Sequence, residues 1–370
     1  MRALHFSVTP LAGAPIRIVR ALQKHSPVEA RHVVLHPDAY GTRTFDTDLV
    51  LPRDREVVLE LLGETDVVHL HHYFDLSKNP FEIDFRRWMR GKHKVIRQLH
   101  SHPMHLSRAS GIPVEQIVFP DVPQLVIAQF HERYYPYAHI VPNIVPIDAP
   151  AYLPFPDVER SEEVTIFFAP SVDASAWAQS DPPLRWDTKG FPETAAMLTD
   201  LTQRIPHAFA RIVRNLPHDQ CMALRRTCHL SIDEMVTGSY HLCSLESMAQ
   251  GLPTFAYLDR RMVSILAELT GCNELPWLNY RLEDALPALE RLVNEPELRR
   301  ALGTNSRRWM ETHWREEDMV RHYLNAYRLL VSDPDEFRRP RFNPADRCAT
   351  WNARGQDDGV WISRVARRRT

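Results

Sequence analysis

The residues best suited to chemistry lie between Asp233 and Pro253, in Asp-Glu-Met-Val-Thr-Gly-Ser-Tyr-His-Leu-Cys-Ser-Leu-Glu-Ser-Met-Ala-Gln-Gly-Leu-Pro. An apolar run ending at Ile232 is followed by a turn at Gly238 and Ser239, and then by a helical segment. The amides that open such a helix, here those of Ser239, Tyr240 and His241, can face an anion. Glu246 sits inside the helix among small residues. A carboxylate there, one or two turns from a bound phosphate, can accept hydrogen bonds from both hydroxyls of a ribose. The plain alternative is a solvated helix glutamate, which the Ser-Met-Ala-Gln-Gly-Leu-Pro context disfavours.

Elements must position these groups, and the composition allows large ones. The chain has 370 residues, 44% apolar and 25% charged, enough for two domains. Its formal net charge is -2, so no global field draws it to nucleic acid. Cys221, Cys228, Cys243, Cys272 and Cys348 are odd in number and show no CxxC spacing, which speaks against a disulfide framework and a cysteine zinc site and for a cytoplasmic protein. No apolar run approaches the ~20 residues of a membrane-spanning helix. The start, Met1-Arg2-Ala3-Leu4-His5-Phe6, is too short in its apolar part for a signal peptide.

Apolar runs alternate with amphipathic stretches throughout, as in parallel βαβ units. In the first half, strands are expected at 3–8, 32–35, 66–71, 94–99 and 126–128, with helices at 16–24, 57–62 and 85–90. Several strands end in polar residues, among them His71 and His100. In an open α/β sheet these ends border the ligand crevice. Five prolines between Pro142 and Pro156 mark an interdomain linker. A second series follows, with strands at 164–168, 208–213, 229–232 and 254–257 and helices at 192–202, 245–250 and 282–294. Late helices are expected at 296–312 and 315–331. The expected boundaries are an acceptor-side domain at 1–145, a linker at 146–160, a nucleotide-sugar domain at 161–312, a returning helix at 313–335 and a basic tail at 336–370.

The segment Glu246-Ser-Met-Ala-Gln-Gly-Leu-Pro resembles the donor site of retaining GT-B glycosyltransferases of the family-4 type. That motif has a first glutamate eight residues earlier; here Gly238 stands there, as in members with a Gly-x-Tyr version. Leu184-Arg185-Trp186-Asp187-Thr188-Lys189-Gly190 resembles the family's basic pair, which grips the donor diphosphate. Ala12-Gly13 stands where the family has a Gly-Gly turn, His100 resembles its strand-end histidine beside the transferred sugar, and Val141-Pro142-Asn143 its exit to the linker. The resemblance spans roughly residues 1 to 330 and implies an α/β GT-B fold, two Rossmann-like domains facing across a cleft.

It also implies transfer of a sugar from a nucleoside diphosphate to a glycan, lipid-linked or small-molecule acceptor, with retention and without a protein nucleophile. Catalytic roles would fall to His100, Lys189 and Arg185, and donor binding to Gly13, Gly238, Ser239, Tyr240, His241 and Glu246. The nucleotide sugar is a co-substrate, and no cofactor or metal is implied. Metal ligation by His69, His71 and His72, or by His100, His102 and His105, lacks an acidic partner at fixed spacing. Arg86, Arg87, Arg90, Lys92, Lys94 and Arg97, interleaved with Phe85 and Trp88, suit peripheral contact with an anionic membrane face, or a solvated helix end. Two rival functions share this scaffold: a nucleotide-sugar 2-epimerase and a nucleotide-sugar binder without turnover.

Overall fold

The computed structural model describes residues 1–39, 45–89, 94–119, 121–155, 163–170 and 189–341. They form two compact units: Met1–Ile144 joined by the segment from Glu316, and Val145–Arg315.

Seven parallel strands in the order β3-β2-β1-β4-β5-β6-β7 form the first unit's sheet. They are β1 (Arg2–Ser7), β2 (Glu29–Val34), β3 (Leu49–Val50), β4 (Val67–His71), β5 (Lys94–Leu99), β6 (Gln124–Ile127) and β7 (Ala138–Val141). All five residues of β4 are buried, as expected of a parallel strand covered on both faces. Leu4, Phe6, Val33, Val68, Leu70, Phe81 and Phe85 fill an apolar core. Parallel register places His32, His5 and His69 side by side, and one step along the strands Ser7, His71 and Gln98. Residues two apart on a strand share a face, so these six make a buried polar layer within the sheet.

Helix Glu316–Ser332 covers part of that layer. Met319, Val320, Tyr323, Ala326, Tyr327 and Leu330 are buried along its length, and its first residue accepts Lys24 Nζ at 2.9 Å and His25 Nε2 at 3.0 Å. Beyond it, Phe337 is fully buried and stacks on His139 with ring centroids 4.0 Å apart. The first part of the basic tail is therefore docked by an aromatic anchor, and the tail from 342 onward lies outside the described residues.

The second unit has five parallel strands in the order β12-β11-β10-β8-β9: β8 (Val164–Phe168), β9 (Ala208–Ile212), β10 (Leu230–Ile232), β11 (Thr254–Ala256) and β12 (Leu278–Asn279). Helices Phe191–Arg204, His218–Arg226, Leu242–Ala249, Arg260–Thr270, Leu282–Asn294 and Pro296–His313 complete it. The proline-rich linker is built onto this unit. Arg307 Nη1 donates to the carbonyls of Ile147 at 2.9 Å and Tyr152 at 3.2 Å, and Gln250 Nε2 to that of Ala151 at 2.7 Å.

Sequence periodicity missed the shortest or most polar elements: β3, β7, β12 and helices Pro103–Ser110, Val114–Val118, His218–Arg226 and Arg260–Thr270. The last is specified at its ends, by Asp259 accepting from the Met262 amide and by Gly271 in the left-handed conformation. Among the described residues no helix is long and apolar enough to cross a membrane.

Candidate functional site

Charged side chains of the second unit gather at the carboxyl end of β10. Lys189 sits on the turn that opens helix Phe191–Arg204, at φ 54° and followed by Gly190 at φ 63°. A left-handed backbone costs a side-chain-bearing residue ~1–3 kcal/mol, so the surroundings must hold Lys189 there. One cause is a close approach: a Cβ on Gly190 would meet Val236 Cγ2 at 2.5 Å. The turn is thus pressed against the loop that follows β10. Lys189 is 7% exposed, and its Nζ donates to Asp233 Oδ1 at 2.9 Å.

Asp233 and Glu234 follow β10 directly and are fully buried. Asp233 Oδ2 accepts the His241 amide at 2.5 Å and the Ser244 hydroxyl at 2.7 Å. Burial alone would raise its pKa, but Lys189 and His241 outweigh burial and hold the carboxyl far below its ordinary value. Burial also works on Glu234 and there prevails, raising its pKa although His241 and Thr237 oppose it. Glu234 Oε1 accepts the Ser239 amide at 3.2 Å and the Thr237 hydroxyl at 2.8 Å.

Two of the three amides expected to cradle phosphate, those of Ser239 and His241, are therefore engaged by this chain's own carboxylates. The third residue, Tyr240, packs its ring against Trp277 and Trp314 at centroid distances of 5.3 and 6.5 Å. Gly238 takes φ 83°, and a Cβ there would lie 2.9 Å from Asp259 Cβ. That crowding, with the positive φ, accounts for a glycine at this position.

Glu246 projects from helix Leu242–Ala249 and is 5% exposed. It is not a solvated helix glutamate: Arg225 Nη2 donates to Oε2 at 2.7 Å, and His218 Nε2 stands 3.1 Å from Oε1. Arg225, 1% exposed, also donates through Nε to Gln250 Oε1 at 3.1 Å. Burial works against the guanidinium charge, but Glu246 outweighs it and raises the pKa further. Arg225 and His218 orient the Glu246 carboxylate. Sequence reasoning missed Arg225 and His218 because their helix is short and its apolar residues, Cys221 to Leu224, run consecutively without helical spacing. Asp233 and Glu234 carried a signal, two acids immediately after a buried strand. Arg185 lies outside the described residues.

In the first unit Gly13 is the residue before helix Ala14–His25, with Phe45 Cδ1 3.0 Å from where a Cβ would stand. His100 directly follows β5, half-buried, with its Nε2 3.0 Å from His71 Nδ1. His102 instead caps helix Pro103–Ser110, its Nδ1 accepting the Met104 amide at 3.1 Å. The expected basic surface is smaller than its sequence. Arg97 is fully buried, bonded to Asp121 Oδ1 at 2.7 Å and to the Phe74 carbonyl at 3.1 Å, and Phe85 is in the core. Arg86 and Arg87 are exposed and Lys94 half-buried, while Arg90 and Lys92 lie outside the described residues. Among the described residues one group, His5, His69 and His71, brings ring nitrogens within 4.8 Å of one another. It replaces His72 of the expected trio with His5, which only strand register could reveal.

No protein-family model matches the sequence, and no curated protein matches it. Solved structures do resemble the fold. Sucrose-phosphate synthase from Thermosynechococcus elongatus is 12% identical at a TM-score of 0.53, covering 90% of this chain and 99% of its own. An alpha-glucosyltransferase in complex with UDP and a 13-mer DNA containing a HMU base is 12% identical at a TM-score of 0.56, covering 90% and 100%. HepE from Anabaena in complex with UDP is 12% identical at 0.52, covering 89% and 100%. The fold is mixed α/β with two parallel sheets, of the GT-B type.

Proposed function

We propose that this chain is a retaining glycosyltransferase that moves a sugar from a nucleoside-diphosphate donor to an acceptor hydroxyl, in glycan or glycoconjugate synthesis. The observation that carries the reading is the pair of buried charged groups at the end of β10: Lys189 on a strained turn, and Glu246 oriented by Arg225 within a helix that starts beside it. Structures with this fold include complexes with UDP, which makes a UDP-sugar the first donor to test.

In this reading the donor diphosphate displaces Asp233 from Lys189, and the ammonium stabilises negative charge as the leaving group departs. Arg185 assists, and Glu246 holds the ribose. The acceptor hydroxyl enters on the face from which the diphosphate leaves, which retains the anomeric configuration and needs neither a protein nucleophile nor a metal. His100 borders the transferred sugar or its acceptor. A second reading is a nucleotide-sugar binder without turnover, in which Asp233 keeps the Lys189 charge from the leaving group.

A thermal-shift screen against nucleoside diphosphates and their sugar conjugates tests the proposal. A ligand at 100 times its Kd stabilises the protein by about 2.7 kcal/mol. A shift with a UDP-sugar, followed by release of UDP on incubation, supports the transferase. A shift with no release across a broad acceptor set supports the binder, and no shift with any nucleotide contradicts both.

A further inference from the structure

Two basic side chains share one oxygen of Asp233. Lys189 Nζ donates to Oδ1 at 2.9 Å, and His241 Nδ1 stands 3.4 Å from the same atom. That ring nitrogen is buried and makes no hydrogen bond among the described residues, so the lysine holds the oxygen and the histidine lies at contact distance. The other oxygen, Oδ2, is committed to the His241 amide and the Ser244 hydroxyl at the start of helix Leu242–Ala249.

Charge decides which base the carboxylate can hold. Asp233 is fully buried, and a buried carboxylate stripped of its cation is strongly destabilised. While Lys189 is in place, one positive charge meets one negative, and a second on His241 is surplus. It would also stand at a helix N-terminus, where a positive charge is disfavoured. Without the ammonium the balance reverses. Asp233 then keeps an amide and a hydroxyl, and the imidazole is the basic group left beside it. Glu234, fully buried and next in sequence, also attracts a positive charge on that ring. The charged groups facing the ring are therefore Asp233 and Glu234 from the end of β10, and Lys189 across the shared oxygen from the turn before helix Phe191–Arg204.

We propose that Asp233 is a counter-ion passed between two bases: when an anion draws Lys189 away, His241 Nδ1 takes a proton from solvent and replaces the ammonium. One N–H bond forms, and the imidazolium carries the charge that Lys189 takes to the anion. The ring has water within reach, since the His241 side chain is 24% exposed. His241 is a positioning residue that acts through Asp233. That the anion is a donor diphosphate rests on the proposed function; the coupling of Lys189 to His241 does not. The exchange makes diphosphate binding consume a proton, so binding tightens as pH falls.

The first test needs no nucleotide. The His241 ring is followed by NMR against pH in the full chain, wild type and Lys189→Met. Removing the ammonium imposes the exchange, so the ring in the variant should hold its proton to a pH higher by about one unit or more. An unchanged titration in a folded variant overturns the proposal. If Lys189→Met does not fold, Asp233→Asn replaces it: with no carboxylate to share, the ring should lose its proton at lower pH than in the wild type, and an unchanged titration is again a contradiction.

The second test is calorimetry of UDP binding at pH 7.5 in buffers of unequal ionisation enthalpy. The terminal phosphate of UDP is largely ionised there, and cations favour that form, so the nucleotide does not take up the proton itself. The wild type should take up a substantial fraction of a proton per UDP, at most about one, and His241→Asn none. Uptake that persists in His241→Asn places the proton elsewhere and overturns the proposal. Uptake that persists in Asp233→Asn shows that the ring answers to the phosphate directly, which also overturns it. Failure of UDP to bind at all removes the proposed function and leaves the first test to decide the exchange.

Discussion

Lys189 Nζ lies 2.9 Å from Asp233 Oδ1, joining residues 44 apart in sequence inside a site where the aspartate is fully buried. The His241 amide and the Ser244 hydroxyl hold the other carboxylate oxygen. The lysine expected to meet a diphosphate thus already has an anion, and a donor must compete with it.

Asp233→Asn should separate affinity from stability. Removing the competing charge frees Lys189, and UDP-sugar binding by calorimetry should tighten by about tenfold, on the scale of one charged hydrogen bond. The same change strands a buried ammonium and should lower urea stability by roughly 3–5 kcal/mol. Lys189→Met should lower kcat/KM by about 100-fold or more, on the scale of a lost transition-state donor. Full activity in Lys189→Met would remove the lysine from the chemistry.

The two halves of the site were unequally legible in the sequence. Lys189 and Glu246 stood out because each sits in a short run of unusual residues, Lys-Gly before a helix and Glu-Ser-Met-Ala-Gln-Gly-Leu-Pro within one. Their partners did not. Arg225 lies in a short helix with no apolar periodicity, and its pairing with Glu246 depends on two helices meeting, which no local pattern encodes. The sheets were readable from parallel-strand runs, since β4 and β8 are apolar enough to announce themselves. The histidine layer was not, because only register shows that His5, His32 and His69 share a row.

Arg225→Met tests whether Glu246 depends on its partner. Taking the guanidinium away from a buried carboxylate should cost about 3–5 kcal/mol in urea denaturation, and adding Glu246→Gln should recover much of it. Additive losses in the double variant would show that the two side chains do not couple.

Gly238→Ala should lower stability by about 1–3 kcal/mol, since a side chain is forced to φ 83° with its Cβ 2.9 Å from Asp259 Cβ. A neutral result in thermal unfolding would contradict the crowding at this turn.

Stability should fall as the pH drops from 7 to 5. Burial holds His32 at about 4 and His69 at about 3, below the ordinary 6.5, so the folded state binds fewer protons than the unfolded one. Their contribution is complete above ~6.5 and is lost as pH falls through 6.5 toward those values, at roughly 1.4 kcal/mol per pH unit for each such group. Glu234 works in the opposite sense, because its raised pKa favours the folded state once it is protonated. His5, His71, His72 and His100 add to the histidine side, so the net slope is set by them. His32→Gln should flatten Tm against pH by about one proton's worth; an unchanged slope would show that His32 is not held neutral.

Titration of UDP and UDP-glucose into the wild-type chain and into Glu246→Gln, each confirmed folded at the working temperature, tests the central claim most directly. Saturable binding to the wild type that weakens by about tenfold or more in Glu246→Gln is the predicted result, from the loss of a charged acceptor for the ribose hydroxyls. Equal affinity in the two proteins, or no binding to either, would contradict it.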